Sequence, residues 1–338
     1  MKIYRAGIVG CGRIAGGFDQ DAGPGIVRTH AAAYQSDPRI ELAACCDIDL
    51  KKTCGFARRW SIPSAYTRYH TMLQKEDLDI LSICTHAGLH EPIVKAAVRA
   101  GVRAIFCEKP LADNLSAARR IVSLCKSKKV LLAVDHQRRW DPFHQRIRAA
   151  LDRGIVGPLQ RVNCFYGAGI ANTGSHLFDL CRAFFGDVEW VQALPPEDGW
   201  KKAPDPDLTG RLRFKRGGEA MIQPIDLSKF SLFEMDILGE RGRLQLIHNG
   251  RRAVLWKVSA QKNPSGRRLL SQDPIIWNAR AGVWPLKQAV NEIVAALSQK
   301  REKVACTGHD GLKSLEIILS LLESAHRGGK RIALKEPS

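Results

Sequence analysis

Short, almost unbroken apolar runs recur along the first part of the chain, at residues 3–9, 41–46, 79–84, 103–107 and 130–134, each stopping on a charge, a glycine or a polar turn. Runs of that length without polar alternation are the pattern of strands buried on both faces of a parallel sheet. Residues 50–60, 91–100 and 112–127 lie between them and carry apolar positions at helical spacing, the second closed by Gly101. Strand and helix in alternation predict a doubly wound parallel sheet. From Asp135 the pattern changes. A helix at 141–153 leads into stretches with polar alternation at 159–166, 209–214, 220–225, 231–238, 243–248 and 252–258, several parted by turn signals such as Arg216-Gly217-Gly218 and Asn249-Gly250. Two amphipathic helices, 285–299 and 310–325, follow. The fold expected is therefore α/β plus α+β, with boundaries at 1–138 for the parallel sheet and 139–338 for an open, largely antiparallel sheet whose helices cover one face. The terminal helices have the option of packing back on the first domain, and the uncovered sheet face is expected to hold substrate or a second subunit.

Length supports two cores, since 338 residues exceed what one ordinary core uses. No apolar run reaches the length of a membrane span, and the amino terminus runs straight into a glycine turn rather than a signal peptide, so a cytoplasmic protein without a membrane partner is expected. Ten cysteines occur without a CxxC pair, which disfavours a structural zinc site or a disulfide framework; no metal is expected. The net charge of +18 lies in scattered pairs such as Arg58-Arg59, Arg138-Arg139 and Lys201-Lys202, with no nucleic-acid motif or basic tail. Specific nucleic-acid binding is not expected. An anionic or nucleotide-linked substrate stays open.

The candidate chemistry sits at strand ends. After the first strand comes Gly10-Cys11-Gly12-Arg13-Ile14-Ala15, a G-x-G-x-x-A turn placed where a dinucleotide pyrophosphate is cradled. The second strand ends on Asp47, a carboxylate suited to the adenine ribose hydroxyls and repulsive to a 2′-phosphate. That favours NAD, while Arg58 and Arg59 keep NADP open. Asp47 lies farther from Gly12 than the simple fingerprint has it, and the glycine-rich stretch 16–25 accounts for the excess as an inserted loop, a candidate flap over the cofactor. Thr85 and His90 follow the next apolar run beside the nucleotide, with His90 suited to hydrogen bonding at a helix start. Glu108-Lys109-Pro110 closes the run at 103–107, on the edge where open α/β sheets bind ligands. In the second half, Asn172-Thr-Gly174-Ser175-His176-Leu-Phe-Asp179 interrupts the sheet pattern. A helix starting near Ser175 places His176 and Asp179 on one face, and a histidine titrating near neutrality can take a hydroxyl proton and return it.

Together, the glycine turn, Asp47, Thr85 with His90, Glu108-Lys109-Pro110, Arg138-Arg139-Trp140-Asp141-Pro142 and Gly174-Ser175-His176-Leu177-Phe178-Asp179-Leu180 resemble the Gfo/Idh/MocA oxidoreductase family over nearly the whole chain. The resemblance implies a Rossmann domain, an open-faced sheet domain used for assembly into dimers or tetramers, and nicotinamide-dependent redox chemistry on a hydroxyl or keto carbon of a sugar, cyclitol or sugar derivative. It implies that Lys109 is the active-site lysine and His176 the proton-transfer histidine, that Gly10, Gly12, Arg13, Ile14, Asp47, Thr85, His90, Glu108 and Lys109 hold the cofactor, and that Lys109, Arg139, Asn172, His176 and Asp179 meet the substrate. One departure stands out: many dehydrogenases of the family carry aspartate four residues before the histidine, where this chain has Asn172. Hydride chemistry then divides the work, with His176 as base, Lys109 as donor to the developing alkoxide, and Glu108 steadying Lys109 or the nicotinamide ribose. A catalytically silent sensor of the same fold is the alternative, and the joint presence of Lys109 and His176 argues against it.

Overall fold

The structure is a computed structural model that describes residues 2–20, 23, 25–194, 203–299 and 303–334. The pair Lys201-Lys202 and part of the glycine-rich stretch 16–25 lie outside the described residues. Two units divide the chain, Met1–Asp141 with Gly282–Leu315 and Pro142–Ala281 with Glu316–Ser338.

The first unit follows the alternation expected. Its elements are β1 (Tyr4–Val9), α1 (His30–Gln35), β2 (Ile40–Cys46), α2 (Leu50–Arg59), β3 (Ser64–Tyr66), α3 (Tyr69–Lys75), β4 (Ile80–Ile83), α4 (His90–Arg99), β5 (Ala104–Cys107), α5 (Leu115–Ser127) and β6 (Leu131–Val134). All six strands are parallel in the order β3-β2-β1-β4-β5-β6, so the chain switches direction across the sheet between β1 and β4. Every residue of β4, β5 and β6 is buried, which is why those runs carry no polar alternation. Helix starts are set by side chains that accept an orphan backbone N–H: Thr29 for α1, Asp49 for α2 and Asn114 for α5.

In the second unit, α6 (Pro142–Asp152), β7 (Leu159–Tyr166) and α7 (Ser175–Phe185) precede the strands β8 (Val188–Ala193), β9 (Gly210–Phe214), β10 (Glu219–Pro224), β11 (Glu234–Gly239), β12 (Gly242–Ile247), β13 (Arg252–Lys262), β14 (Arg268–Leu270) and β15 (Ile275–Asn278). The chain then passes through α8 (Pro285–Gln299) and α9 (Gly308–His326) to β16 (Ile332–Ala333). The sheet runs β14-β13-β12-β11-β7-β10-β9-β8-β16, with β15 on β13, and is antiparallel except where β10 pairs with β7. Alternation in β9 and β12 buries every second residue, and the buried set meets Phe178, Phe184 and Phe185 of α7 and Ile317, Ile318 and Leu321 of α9 in one core. The opposite face carries charged and aromatic side chains. Arg211 and Arg331 lie over the ring of Trp190, and Arg243 over Trp256.

Two features that the pattern leaves unmarked have physical causes. The glycine turn does not open directly into a helix: Gly16 and Gly17 donate back to the Gly12 carbonyl, a 3₁₀ turn covers Gly17–Asp19, and α1 begins only at His30, where the Thr29 cap becomes available. The elements β3, α3, β14, β15 and β16 are too short to show a period.

Gly10 ends β1 at φ +91, and a Cβ built there meets the Cys84 carbonyl oxygen at 2.5 Å, whereas one built on Gly12 meets nothing within 4 Å. Both the left-handed backbone and the clash oppose any side chain at position 10. In urea denaturation Gly10→Ala is expected to lose about 2 kcal/mol or more, with Gly12→Ala within about 1 kcal/mol of the parent. Equal losses would show that the turn is not held as described.

Candidate active site

Register decides where the first unit's polar residues emerge. Val9 pairs with Cys46 and with Ile83, Ile83 with Cys107, and Cys107 with Val134, so five parallel strands stop level. One step beyond lie Asp47, Gly10, Cys84, Glu108 and Asp135, in that order along a single edge.

Around Gly10 the backbone is tied to both neighbouring strands, since Gly10 N donates to Cys46 O at 2.7 Å and Cys84 N donates to Val9 O at 2.7 Å. The Cys11 N–H donates to Asp47 Oδ2 at 2.9 Å. Space around Gly12 is open, as a cradle for a phosphate group requires. Arg13 is exposed and its guanidinium lies over the Phe18 ring at 4.6 Å, and Ile14 is half-buried, with its carbonyl accepting from His30 N. Asp47 keeps acceptor capacity for a ribose: Oδ2 takes Cys11 N–H and Lys52 Nζ at 2.8 Å, and among the described residues Oδ1 takes only Asp49 N–H at 3.2 Å. Burial pushes its pKa up, but Lys52 and the two backbone donors outweigh that and hold it below the usual carboxylate range. Lys52 escaped the sequence reading, which looked to Arg58 and Arg59; the signal was its place in the first turn of α2, three residues past the Asp49 cap. Arg59 instead donates to the Gln20 carbonyl at 2.8 Å. The residues present fit a dinucleotide.

His90 is fully buried. Its Nδ1 lies 3.1 Å from Leu111 O and 3.3 Å from the Cys107 sulfur, and its Nε2 3.1 Å from Thr85 O. Burial lowers its pKa against the pull of those carbonyls, so it braces the β4 and β5 ends against each other and reaches a bound ligand only through them. Thr85 itself is half-buried.

Glu108, 7% exposed, accepts from the Lys109 N–H at Oε2 (3.2 Å) and meets His30 Nε2 at Oε1 (3.1 Å). The Lys109-Pro110 peptide is cis, and Lys109 is half-buried. Arg139 forms an ion pair with Asp310 at 3.1 Å inside the same unit, so its guanidinium is spoken for before any substrate arrives. His30 and Asp135 were also missed. Each is a polar residue next to an apolar segment, a signal too common to single them out before the level strand ends were known.

In the second unit, Asn172, His176 and Asp179 come together at the start of α7. A π-helical turn, Gly169–Gly174, leads into it and is laced to one loop: Ala171 and Asn172 N–H donate to Asp205 Oδ1 and Oδ2 at 2.8 and 2.9 Å, Gly169 N–H to Asp207 Oδ1 at 2.9 Å, and Ile170 N–H to Pro206 O at 3.0 Å. Asn172 is exposed, His176 half-buried and Asp179 only 1% exposed, so Asp179 faces inward. Ser175 Oγ donates to Asn172 O at 2.7 Å, closing the turn. Among the described residues no helix is long and apolar enough to cross a membrane, and all ten cysteines are free thiols.

Residues 4–136 match the family model described as an oxidoreductase family with an NAD-binding Rossmann fold. The chain is similar to a D-apiose dehydrogenase of Paraburkholderia graminis, 26% identical over 99% of this chain and 91% of that one. It is also similar to a myo-inositol 2-dehydrogenase of Thermotoga maritima, 25% identical over 71% of this chain and 74% of the relative. Among solved structures, a levoglucosan dehydrogenase in complex with NADH and levoglucosan superposes with a TM-score of 0.80 at 17% identity, covering 99% of this chain and 100% of the other. The matched segment carries the glycine turn, Asp47 and Glu108-Lys109 at one sheet edge, so residues 4–136 match the Gfo/Idh/MocA model of NAD-binding oxidoreductases, and similarity to a dehydrogenase runs the length of the chain.

Proposed function

We propose that this oxidoreductase moves hydride between NAD and the hydroxyl-bearing carbon of a neutral sugar or cyclitol, with Lys109 and His176 as its catalytic side chains. The observation that carries the reading is the level edge of the parallel sheet, which sets Glu108-Lys109 two strands from the dinucleotide turn. Bound NAD supplies the hydride acceptor. The chain's own residues do the rest: Glu108 holds the Lys109 peptide, the Lys109 ammonium donates to the substrate oxygen as alkoxide charge develops, and His176 takes the hydroxyl proton. Exposed Asn172 orients a substrate hydroxyl without adding negative charge beside His176. Relatives named for apiose and inositol favour an uncharged polyol over an anionic or nucleotide-linked one. We further assign the protein to the cytoplasm and its charged and aromatic open sheet face to contact with further copies of the chain. The deciding experiment is a panel of aldoses, cyclitols, sugar acids and nucleotide sugars assayed for NADH formation. Turnover of none with NAD or NADP would sink the reading in favour of a silent sensor, and a preference for every anionic candidate at low salt would overturn the neutral class.

Lys109→Ala is expected to keep the fold and NAD affinity while kcat/KM falls on the order of 10²-fold, because the donor acts on charge present only in the transition state. Full turnover in that variant would place the chemistry elsewhere.

Tryptophan-fluorescence titration should show NAD bound more tightly than NADP, with Asp47→Ala narrowing the preference by roughly tenfold through loss of the ribose acceptor and of the repulsion toward a 2′-phosphate. Since Lys52 stays behind in that variant, a gain in NADP affinity is the sharper half of the test, and unchanged affinities for both cofactors would remove Asp47 from the site.

A further inference from the structure

Beneath the Lys109 turn lies a buried group of polar side chains: His30 (0% exposed), Glu108 (7%) and Asp135 (1%), with Ser82 and Tyr34 behind them (both 0%). The ligand atoms of His30, Glu108 and Asp135 all lie within 4.8 Å of one another. Their juxtaposition is dictated by register. Glu108 and Asp135 are the first residues past paired Cys107 and Val134, on strands spaced about 4.8 Å apart.

Hydrogen bonds in this group run in one direction. The Tyr34 hydroxyl lies 2.6 Å from Ser82 Oγ, Ser82 Oγ 2.8 Å from His30 Nδ1, and His30 Nε2 3.1 Å from Glu108 Oε1. Among the described residues Ser82 is the only partner of the Tyr34 hydroxyl, so Tyr34 donates to Ser82, Ser82 to Nδ1, and the imidazole is the neutral tautomer with Nε2–H donating to Glu108. The chain of donors ends there. Among the described residues neither Asp135 oxygen has a partner within hydrogen-bond geometry: His30 Nε2 stands off at 3.8 Å from Oδ2, and an Asp135 oxygen lies within 4.8 Å of one of Glu108. Two buried carboxylates this close, one of them without a donor, lack one proton between them.

We propose that Glu108 and Asp135 share a single proton, and that Asp135 and His30 are thereby positioning residues for the Lys109 turn. The functional half of this rests on the reading of Lys109 given above. Glu108 is then held from three sides, by His30, by the shared proton and by the Lys109 N–H, and the pair keeps one net negative charge beside the Lys109 ammonium. The groups around the pair agree. Burial raises Asp135 well above the carboxylate range, with Glu108 adding to it and His30 and Gln137 pulling back. It raises Glu108 too, against Asp135 and Lys109. Burial lowers His30 to about 4, against Asp135, so the proton does not rest on the imidazole at neutral pH. The thiols of Cys84 and Cys107, the remaining titratable groups on β4 and β5 here, are pushed up by burial and by Glu108, and stay uncharged.

The test uses the purified full chain. Infrared difference spectra at neutral pH between the parent and Asp135→Asn should show the carbonyl band of one protonated carboxyl, lost in the variant, whose amide takes over donation to Glu108. Stability supplies a second readout. Above the ordinary imidazole pKa of 6.5 the unfolded chain has neutral His30 and ionised carboxyls. The folded parent then carries one extra proton, and its unfolding constant should rise about tenfold per pH unit relative to Asp135→Asn, until that proton leaves. In turnover, Asp135→Leu should lower kcat/KM roughly tenfold with NAD affinity within about twofold, and Asp135→Asn should restore most of the loss. Absence of the carboxyl band together with parallel stability curves would overturn the shared proton, as would imidazolium signals for His30 in nitrogen NMR or one tightly bound divalent cation per chain by elemental analysis. The two proton readouts need no substrate, so inactivity toward every polyol would count against the proposed function and leave this inference standing.

Discussion

The level termination of five parallel strands governs the first unit, because a buried sheet can accept polar side chains only where its ladder stops. Inside β1, β4, β5 and β6 the backbone groups pair with neighbouring strands, and nearly every side chain is withdrawn from water. A carboxylate placed there would pay its full desolvation cost unpaired. One residue past the last pair, backbone N–H groups point outward and charged residues find partners. Asp47 takes Cys11 N–H, Glu108 takes Lys109 N–H, and Gly10 can turn away. Level ends bring these groups side by side along one edge and also set Glu108 within 4.8 Å of Asp135. Adjacent ionised carboxylates in a dry interior repel strongly, so the crowding that builds the edge also demands a proton, a histidine or a cation there.

Backbone capture by carboxylates recurs in the second unit, on a different scaffold. The first N–H groups of the turn before α7 have no carbonyl ahead of them within the turn, and Asp205 and Asp207 take three of them. Burial, and less strongly the neighbouring Asp205, raise the pKa of Asp207 against the pull of the Gly169 N–H. Gly169 at φ +90 leaves no room for a side chain, since a Cβ there would fall onto the Asp205 carboxylate. Loop and turn are therefore one fitted piece, and it presents exposed Asn172 a few residues ahead of half-buried His176.

What the sequence made legible follows from how strongly each element repeats a pattern. The buried strands and the helices of residues 50–60, 91–100 and 112–127 show themselves through long apolar runs or a clear period, and the structure places them within a few residues of the reading. The glycine turn, Asp47 and Glu108-Lys109 were legible because their meaning depends on position after a strand. His30 and Lys52 were not. His30 acquires a partner far along the chain and Lys52 one at the end of the preceding strand, and neither long-range register nor a local ion pair leaves a periodic trace. Asp135 shows the same limit, as a carboxylate after an apolar run signals a strand end but says nothing of a second carboxylate on the neighbouring strand.

Charge illustrates how a global count misleads about a local site. The excess of basic residues amounts to +18, yet in the second sheet arginines cluster around single acids and flat rings. Glu219 meets Arg211 at 2.6 Å, Arg161 at 3.1 Å and Arg213 at 3.9 Å, and Arg211 first among them holds its pKa below the usual range. Arg243 lies across Asp236 at 2.7 Å and over Trp256. Such exposed pairs add little stability individually, but they hold long side chains along the sheet, with arginines lying over the rings of Trp190 and Trp256. In the first unit Arg139, the one arginine assigned to substrate, already has Asp310. An anionic substrate would have to outbid that carboxylate for the guanidinium, whereas a neutral polyol has no need of it.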